Sequence, residues 1–145
     1  MALDLRGLCP YFEVYDMPAA VRFYRDVLGF EVKSTSPALG GADRFHWVWL
    51  RRGSAELMLN TAYEFDEERP AVEDAGRVRG HGDCCLYLGC PDVDAAYAEL
   101  RGKGVEVRQP AVAPYGMKQM YLRDPDGYGI CLQWAAAPEA TAVGP

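Results

Sequence analysis

The 145-residue chain is half hydrophobic and one-quarter charged, a mix that supports one soluble domain with a sizeable core and excludes a disordered or fibrous chain. Its formal net charge of −6 disfavours nucleic acid and anionic membranes as partners. Met1–Arg6 has no basic stretch leading into an apolar one, no apolar run approaches a membrane span, and the five cysteines are odd in number, so a cytoplasmic protein with reduced thiols is expected.

The first element reads as a strand over 8–15. Pro10, Phe12 and Val14 alternate with Cys9, Tyr11, Glu13 and Tyr15, which is a period of two. Asp16 then caps a helix. Pro18 sits in its first turn, where a missing N–H costs nothing, and Gly29 stops it. Val21, Tyr24 and Leu28 form its apolar face. Three strands follow, over about 30–34, 44–50 and 55–60, with Arg51-Arg52-Gly53-Ser54 as the last turn.

Residues 63–80 are rich in Asp, Glu and Arg, with Pro70 and Gly76 among them. They read as a solvated linking loop, in the position of a flap. A second strand–helix–strands series begins at residue 81. The strand lies at about 84–89, Asp92 is the helix cap, Ala96, Tyr97 and Leu100 form the apolar face, and Gly102 or Gly104 ends the helix. Strands are expected at about 105–108, 117–123 and 129–134, the last two joined by Asp124-Pro125-Asp126-Gly127. The tail, 135–145, is expected to be frayed and disordered.

The two halves repeat. Val14-Tyr15-Asp16-Met17-Pro18-Ala19-Ala20 answers Cys90-Pro91-Asp92-Val93-Asp94-Ala95-Ala96, and Gly29-Phe30-Glu31-Val32 answers Gly104-Val105-Glu106-Val107. Such self-similarity means one supersecondary unit used twice. The expected organisation is a βαβββ module over 1–62, a linker over 63–80 and a second module over 81–134.

Two motifs add a resemblance. Phe23-Tyr24-Arg25-Asp26-Val27-Leu28-Gly29-Phe30 resembles the FY-x-x-x-LGF segment of the vicinal-oxygen-chelate proteins, the group of glyoxalases, bleomycin-resistance proteins and extradiol dioxygenases. Tyr115-Gly116-Met117 and Asp124-Pro125-Asp126-Gly127-Tyr128 resemble that group's YG and DPDGY segments. The match runs from about residue 8 to residue 134. It implies an α+β fold in which two βαβββ modules form a curled, mixed-sheet cup, often at a homodimer interface. It leaves activity open, because this fold hosts isomerases, lyases, dioxygenases and metal-free drug-binding proteins.

Metal-using members of the group place ligands on the first and last strand of each module. The repeat locates those slots in this chain: Cys9 precedes Asp16 by the same seven residues as Cys85 precedes Asp92, and Leu57-Met58-Leu59 answers Leu132-Gln133-Trp134, so Glu56 answers Cys131. The group's isomerases carry His and Glu there. This chain keeps only Glu56, and its histidines, His46 and His81, fall elsewhere. Three readings of the cysteines stay open. They are small buried hydrophobes, ligands of a soft ion such as Zn(II), Cu(I) or As(III), or reactive thiols. Glu56 is a candidate general base, or else a carboxylate paired with Arg51 or Arg52.

Strand parity adds further lining residues: Tyr11, Glu13, Met58, Asn60, Tyr87 and Gln133, with Trp47 and Trp49 or their neighbours. Tyr115, Met117 and Met120 are expected to close the cup, and Lys118 is the ready cation. Such a wall suits a planar or amphipathic small molecule. The preferred reading is a metal-independent, cofactor-free homodimer that sequesters such a ligand through Cys9, Tyr11, Trp47, Met58, Asn60, Cys85, Tyr87, Tyr115, Cys131 and Gln133. The alternatives are an enzyme of the same superfamily using Glu56, with or without a soft metal on Cys9, Cys85 and Cys131, and a thiol-based metal or metalloid sensor or binder.

Overall fold

A computed structural model describes residues 2–137. Of the expected tail, 138–145 lie outside the described residues. The chain divides into two compact units. The first holds the residues up to His81 together with Asp124–Gly127, and the second holds Gly82–Arg123 and the residues from Tyr128 on. Each contains a four-stranded mixed sheet that does not close, with helices beside it, so the class is α+β.

In the first unit the strands are β1 (Tyr11–Val14), β2 (Glu31–Thr35), β3 (Trp47–Arg52) and β4 (Ala55–Thr61), in the order β1-β4-β3-β2. β1 runs parallel to β4, and the other pairs are antiparallel. Phe12, Val14, Val48, Leu50, Leu57 and Leu59 are buried on one sheet face, against which helix α1 (Met17–Arg22) packs Ala20 and Val21. Each such Val, Leu or Phe side chain contributes about 1.5–3 kcal/mol on leaving water. The Asp16 carboxylate accepts from the Ala19 amide, 3.1 Å away, and so satisfies one of the orphan donors of the first turn. The helix then widens into a π-helical turn over Phe23–Val27, which Leu28 N–H closes onto Phe23 C=O at 3.1 Å. This turn carries Tyr24, which is fully buried.

The segment expected to be a linking loop is partly helical. It holds a single 3-10 turn at Asp66–Glu68 and helix α2 (Ala75–Gly80), capped by the Asp74 side chain on Gly76 N–H at 2.8 Å. Its high charge hid the short capped turn within it. Arg77 from this helix reaches Asp126 at 3.0 Å and the Glu13 carbonyl.

In the second unit the strands are β5 (Cys85–Gly89), β6 (Ala111–Val112), β7 (Met117–Arg123) and β8 (Gly129–Ala135), in the order β5-β8-β7-β6. Helix α3 (Val93–Gly102), capped by Asp92 on Ala95 N–H, packs Val93 and Leu100 towards the face that buries Met120, Leu122 and Ile130. The strand expected at 105–108 does not form. Only Ala111–Val112 pairs with β7, directly after Pro110, which cannot donate to a ladder. A short edge strand therefore replaces a full one, and residues 106–108 stay outside the sheet.

Candidate functional site

Each sheet has one face turned to its helix and one face that the helix does not cover. Cross-strand register assigns the residues of the second face directly, because side chains alternate along every strand.

In the first unit this open face carries three rows. Tyr11, Met58 and Trp49 are register partners across β1, β4 and β3. Glu13, Asn60 and Trp47 form the next row, and Glu56 stands opposite Arg51. Both tryptophans lie on this side, since Val48 and Leu50, which alternate with them, are in the core. The sequence-derived candidates Tyr11, Trp47, Met58, Asn60 and Glu56 thus share one surface. Cys9 stands just before β1, and the carbonyl of the next residue, Pro10, accepts from Met58 N–H at 2.8 Å. Burial pushes the Cys9 thiol up, and the Glu56 carboxylate adds to the shift.

In the second unit the corresponding rows are Cys85–Gly129–Arg123, Tyr87–Cys131–Tyr121 and Gly89–Gln133–Gln119. Tyr87 and Tyr121 meet edge to face with ring centroids 6.3 Å apart, and their hydroxyls are 3.2 Å from each other. Cys131 lies between them in register and is 0% exposed. The tyrosines are about half exposed, at 53% and 50%. A hydrogen-bonded chain continues from them. Tyr121 donates to the Gln119 carbonyl oxygen at 3.2 Å, and the Gln119 amide donates to Gln133 at 2.9 Å and to the Tyr115 hydroxyl at 2.9 Å. Three phenols and two amides are held in one layer with fixed partners. Cys85, Tyr87, Tyr115, Cys131 and Gln133 therefore belong to one network or its margin.

Two expectations need correction. Met120 lies in the core at 1% exposure and does not line the open face, because it is an odd number of residues from Met117 on the same strand. Lys118 also points to the helix side, where it pairs with Asp94. Arg123 is the cation that β7 does place on the open face. Gln119, Tyr121 and Arg123 went unnoticed in the sequence, although alternation from Met117 would have found all three.

The slots that hold metal ligands in other members of the resembled group do not fit a hard metal ion here. Three of the four are thiols, and burial pushes each of these, Cys9, Cys85 and Cys131, above the ordinary thiol value. Thiolates suit soft ions, and the hard-ion site types built on imidazole and carboxylate have only Glu56 to offer. Among the described residues, no three His, Cys, Asp or Glu side chains form a group placed to hold a metal ion.

The histidines and the DPDG segment have structural employment in the first unit. His46 Nδ1 lies 3.4 Å from the Thr61 hydroxyl, and His81 Nδ1 lies 2.7 Å from the Asp126 carbonyl. Asp126, 1% exposed, accepts from Tyr15 N–H at 2.7 Å and from Arg77. Asp124 accepts from the Tyr24 hydroxyl at 2.7 Å and from Asp126 N–H at 2.9 Å. Glu73, which shares Arg77, is raised by burial and then by Asp126. The motif's two carboxylates are therefore anchors of packing.

A family model described as the Glyoxalase/Bleomycin resistance protein/Dioxygenase superfamily matches residues 12–132. No curated protein matches the chain in sequence. Among solved structures, the chain is similar to TnmS3, an antibiotic binding protein from Streptomyces sp. CB03234, with 28% identity and a TM-score of 0.65 over 94% of this chain and 99% of that one. It is similar to a glyoxalase/bleomycin resistance protein from the same Streptomyces, with 28% identity and a TM-score of 0.60 over 89% and 100%. TioX from Micromonospora sp. ML1 shares the fold, with 20% identity and a TM-score of 0.67 over 90% and 98%. No helix among the described residues is long and apolar enough to cross a membrane.

Proposed function

The chain belongs to the glyoxalase/bleomycin resistance protein/dioxygenase superfamily, and from that premise we propose that it binds an aromatic or amphipathic small molecule, an antibiotic among the candidates, and sequesters it unchanged without a metal. The observation that carries this reading is the open face of the second unit. Tyr87 and Tyr121 present half-exposed rings whose hydroxyls are already engaged, beside the ordered amides of Gln119 and Gln133. An apolar surface with a few fixed polar groups is what a planar ligand needs for both affinity and orientation.

Three further points support it. Tyr11, Trp47, Trp49, Met58 and Asn60 give the first unit a surface of the same character. The raised thiols favour inert packing over nucleophilic roles. One of the similar structures is that of an antibiotic binding protein. The reading includes a homodimer, the assembly that the family resemblance implies, to be checked by light scattering.

The test is a panel of polycyclic aromatic antibiotics titrated calorimetrically into protein with and without EDTA, followed by mass spectrometry of the recovered ligand. The expected result is binding indifferent to EDTA, ligand recovered intact, and affinity lowered about tenfold by Trp49→Ala or Tyr87→Ala. Chemical conversion of the ligand, or binding lost with EDTA and restored by a divalent metal, would overturn the proposal in favour of an enzyme.

A further inference from the structure

Beside the tyrosine pair lies a charge that aromatic binding alone does not account for. Arg123 ends β7 on the same face as Tyr121, two residues and roughly 7 Å further along the strand. Its register row crosses to Gly129 and then to Cys85. Gly129 leaves that row without a side chain at its centre. A Cβ there would stand 3.2 Å from both the Cys84 carbonyl oxygen and the Cys85 sulfur, so the position resists any larger residue. Gly129 therefore lets the Cys84 backbone and the Cys85 sulfur close over the centre of the row, with the Arg123 position on its other side. A glycine inside a strand marks such a place of close approach.

This row borders a pocket with a far wall. Glu106, Val107 and Arg108 line the same pocket as Tyr87, Tyr121 and Arg123. They do so because this stretch does not pair with β7 as a full edge strand would. The two arginines outnumber the one carboxylate in the lining.

We propose that this pocket selects an aromatic ligand that bears a carboxylate: its rings lie against Tyr87 and Tyr121, and the acid group meets Arg123 in the same pocket, with Arg108 as a second cation. The planar fork of an arginine suits a carboxylate, which it can hold by two parallel hydrogen bonds. The inference rests on the binding reading above and adds the charge and direction of the ligand to it.

The experiment compares 2-naphthoate with its uncharged amide, 2-naphthamide, by calorimetry on the full chain. Wild-type protein is expected to prefer the naphthoate by about tenfold or more, the effect of one charge-assisted hydrogen bond. Arg123→Gln is expected to bring the two ligands to near parity. Arg123→Lys keeps the charge and retains part of the preference, and circular dichroism confirms that both variants are folded. Equal binding of the two ligands by wild type would overturn the acid selectivity and leave aromatic binding standing. A preference untouched by Arg123→Gln and Arg108→Gln would overturn the site. No binding of either ligand at millimolar concentration would overturn this inference and count against the binding reading as well.

Discussion

Tyr24→Phe removes a single oxygen from the interior of the first unit. Tyr24 is fully buried, and its hydroxyl donates to the Asp124 carboxylate at 2.7 Å. The ring itself packs edge to face on Phe23 and Phe30, with centroids 5.1 Å and 5.9 Å away, and phenylalanine keeps both contacts. The loss is then that of one buried hydrogen bond to a charged group, about 1.5–3 kcal/mol. Asp124 retains the Asp126 amide at 2.9 Å, which keeps the cost towards the middle of that range, about 2 kcal/mol. For a chain of this length the melting temperature should fall by roughly 4–8 °C. Differential scanning calorimetry reads the shift directly. Tyr115→Phe is the control, because its hydroxyl is bonded but the residue is 69% exposed, and a change within about 0.5 kcal/mol is expected. If Tyr24→Phe melts with the control, the DPDG carboxylates are not packing anchors, and the structural account of that motif fails.

Burial raises Cys9, Cys85 and Cys131 above the ordinary thiol value of 9.0, so the folded state holds those protons more tightly than the unfolded one. Their contribution to stability is therefore complete below pH 9.0 and is lost as pH rises through the folded values. Urea titrations at rising pH should show this loss, and iodoacetamide should label Cys131 slowly at neutral pH; rapid labelling of the native protein would contradict it. Gly127 and Gly116 offer a paired test, since both have positive φ, 86° and 85°. An alanine Cβ at Gly127 would lie 2.6 Å from the Val78 carbonyl oxygen, whereas nothing lies within 4 Å at Gly116. Gly116→Ala should cost about 1–2 kcal/mol for the left-handed backbone alone. Gly127→Ala should cost about 3 kcal/mol or more, and equal losses in urea denaturation would show that the close approach to Val78 is not real.

Much of the fold was legible in the sequence because its signals are local. Alternation over 8–15 put Phe12 and Val14 on the buried side of β1, and the Asp16 and Asp92 caps both accept from the amides that their positions require. The repeat of those caps announced two similar units before any strand was paired. Parity also sorted the open face: Tyr11, Met58 and Asn60 in the first unit and Tyr87 and Gln133 in the second needed only a period of two.

Elsewhere distant residues decided the structure. Val105–Val107 has the composition of a strand, yet Pro110 and the short pairing at Ala111–Val112 leave it outside the sheet. Asp126 looks like a turn residue, but its partners are Tyr15, 111 positions away, and Arg77 from a helix hidden in a charged stretch. The Tyr87–Cys131–Tyr121 row and the arginine beyond it exist only once β5, β8 and β7 are in register. The sequence by itself determined which residues seek burial and where helices begin, since those choices depend on neighbours within a turn. Tertiary structure alone decided which phenols, amides and cations share a surface, because hydrogen-bond register between strands far apart in the chain sets those distances.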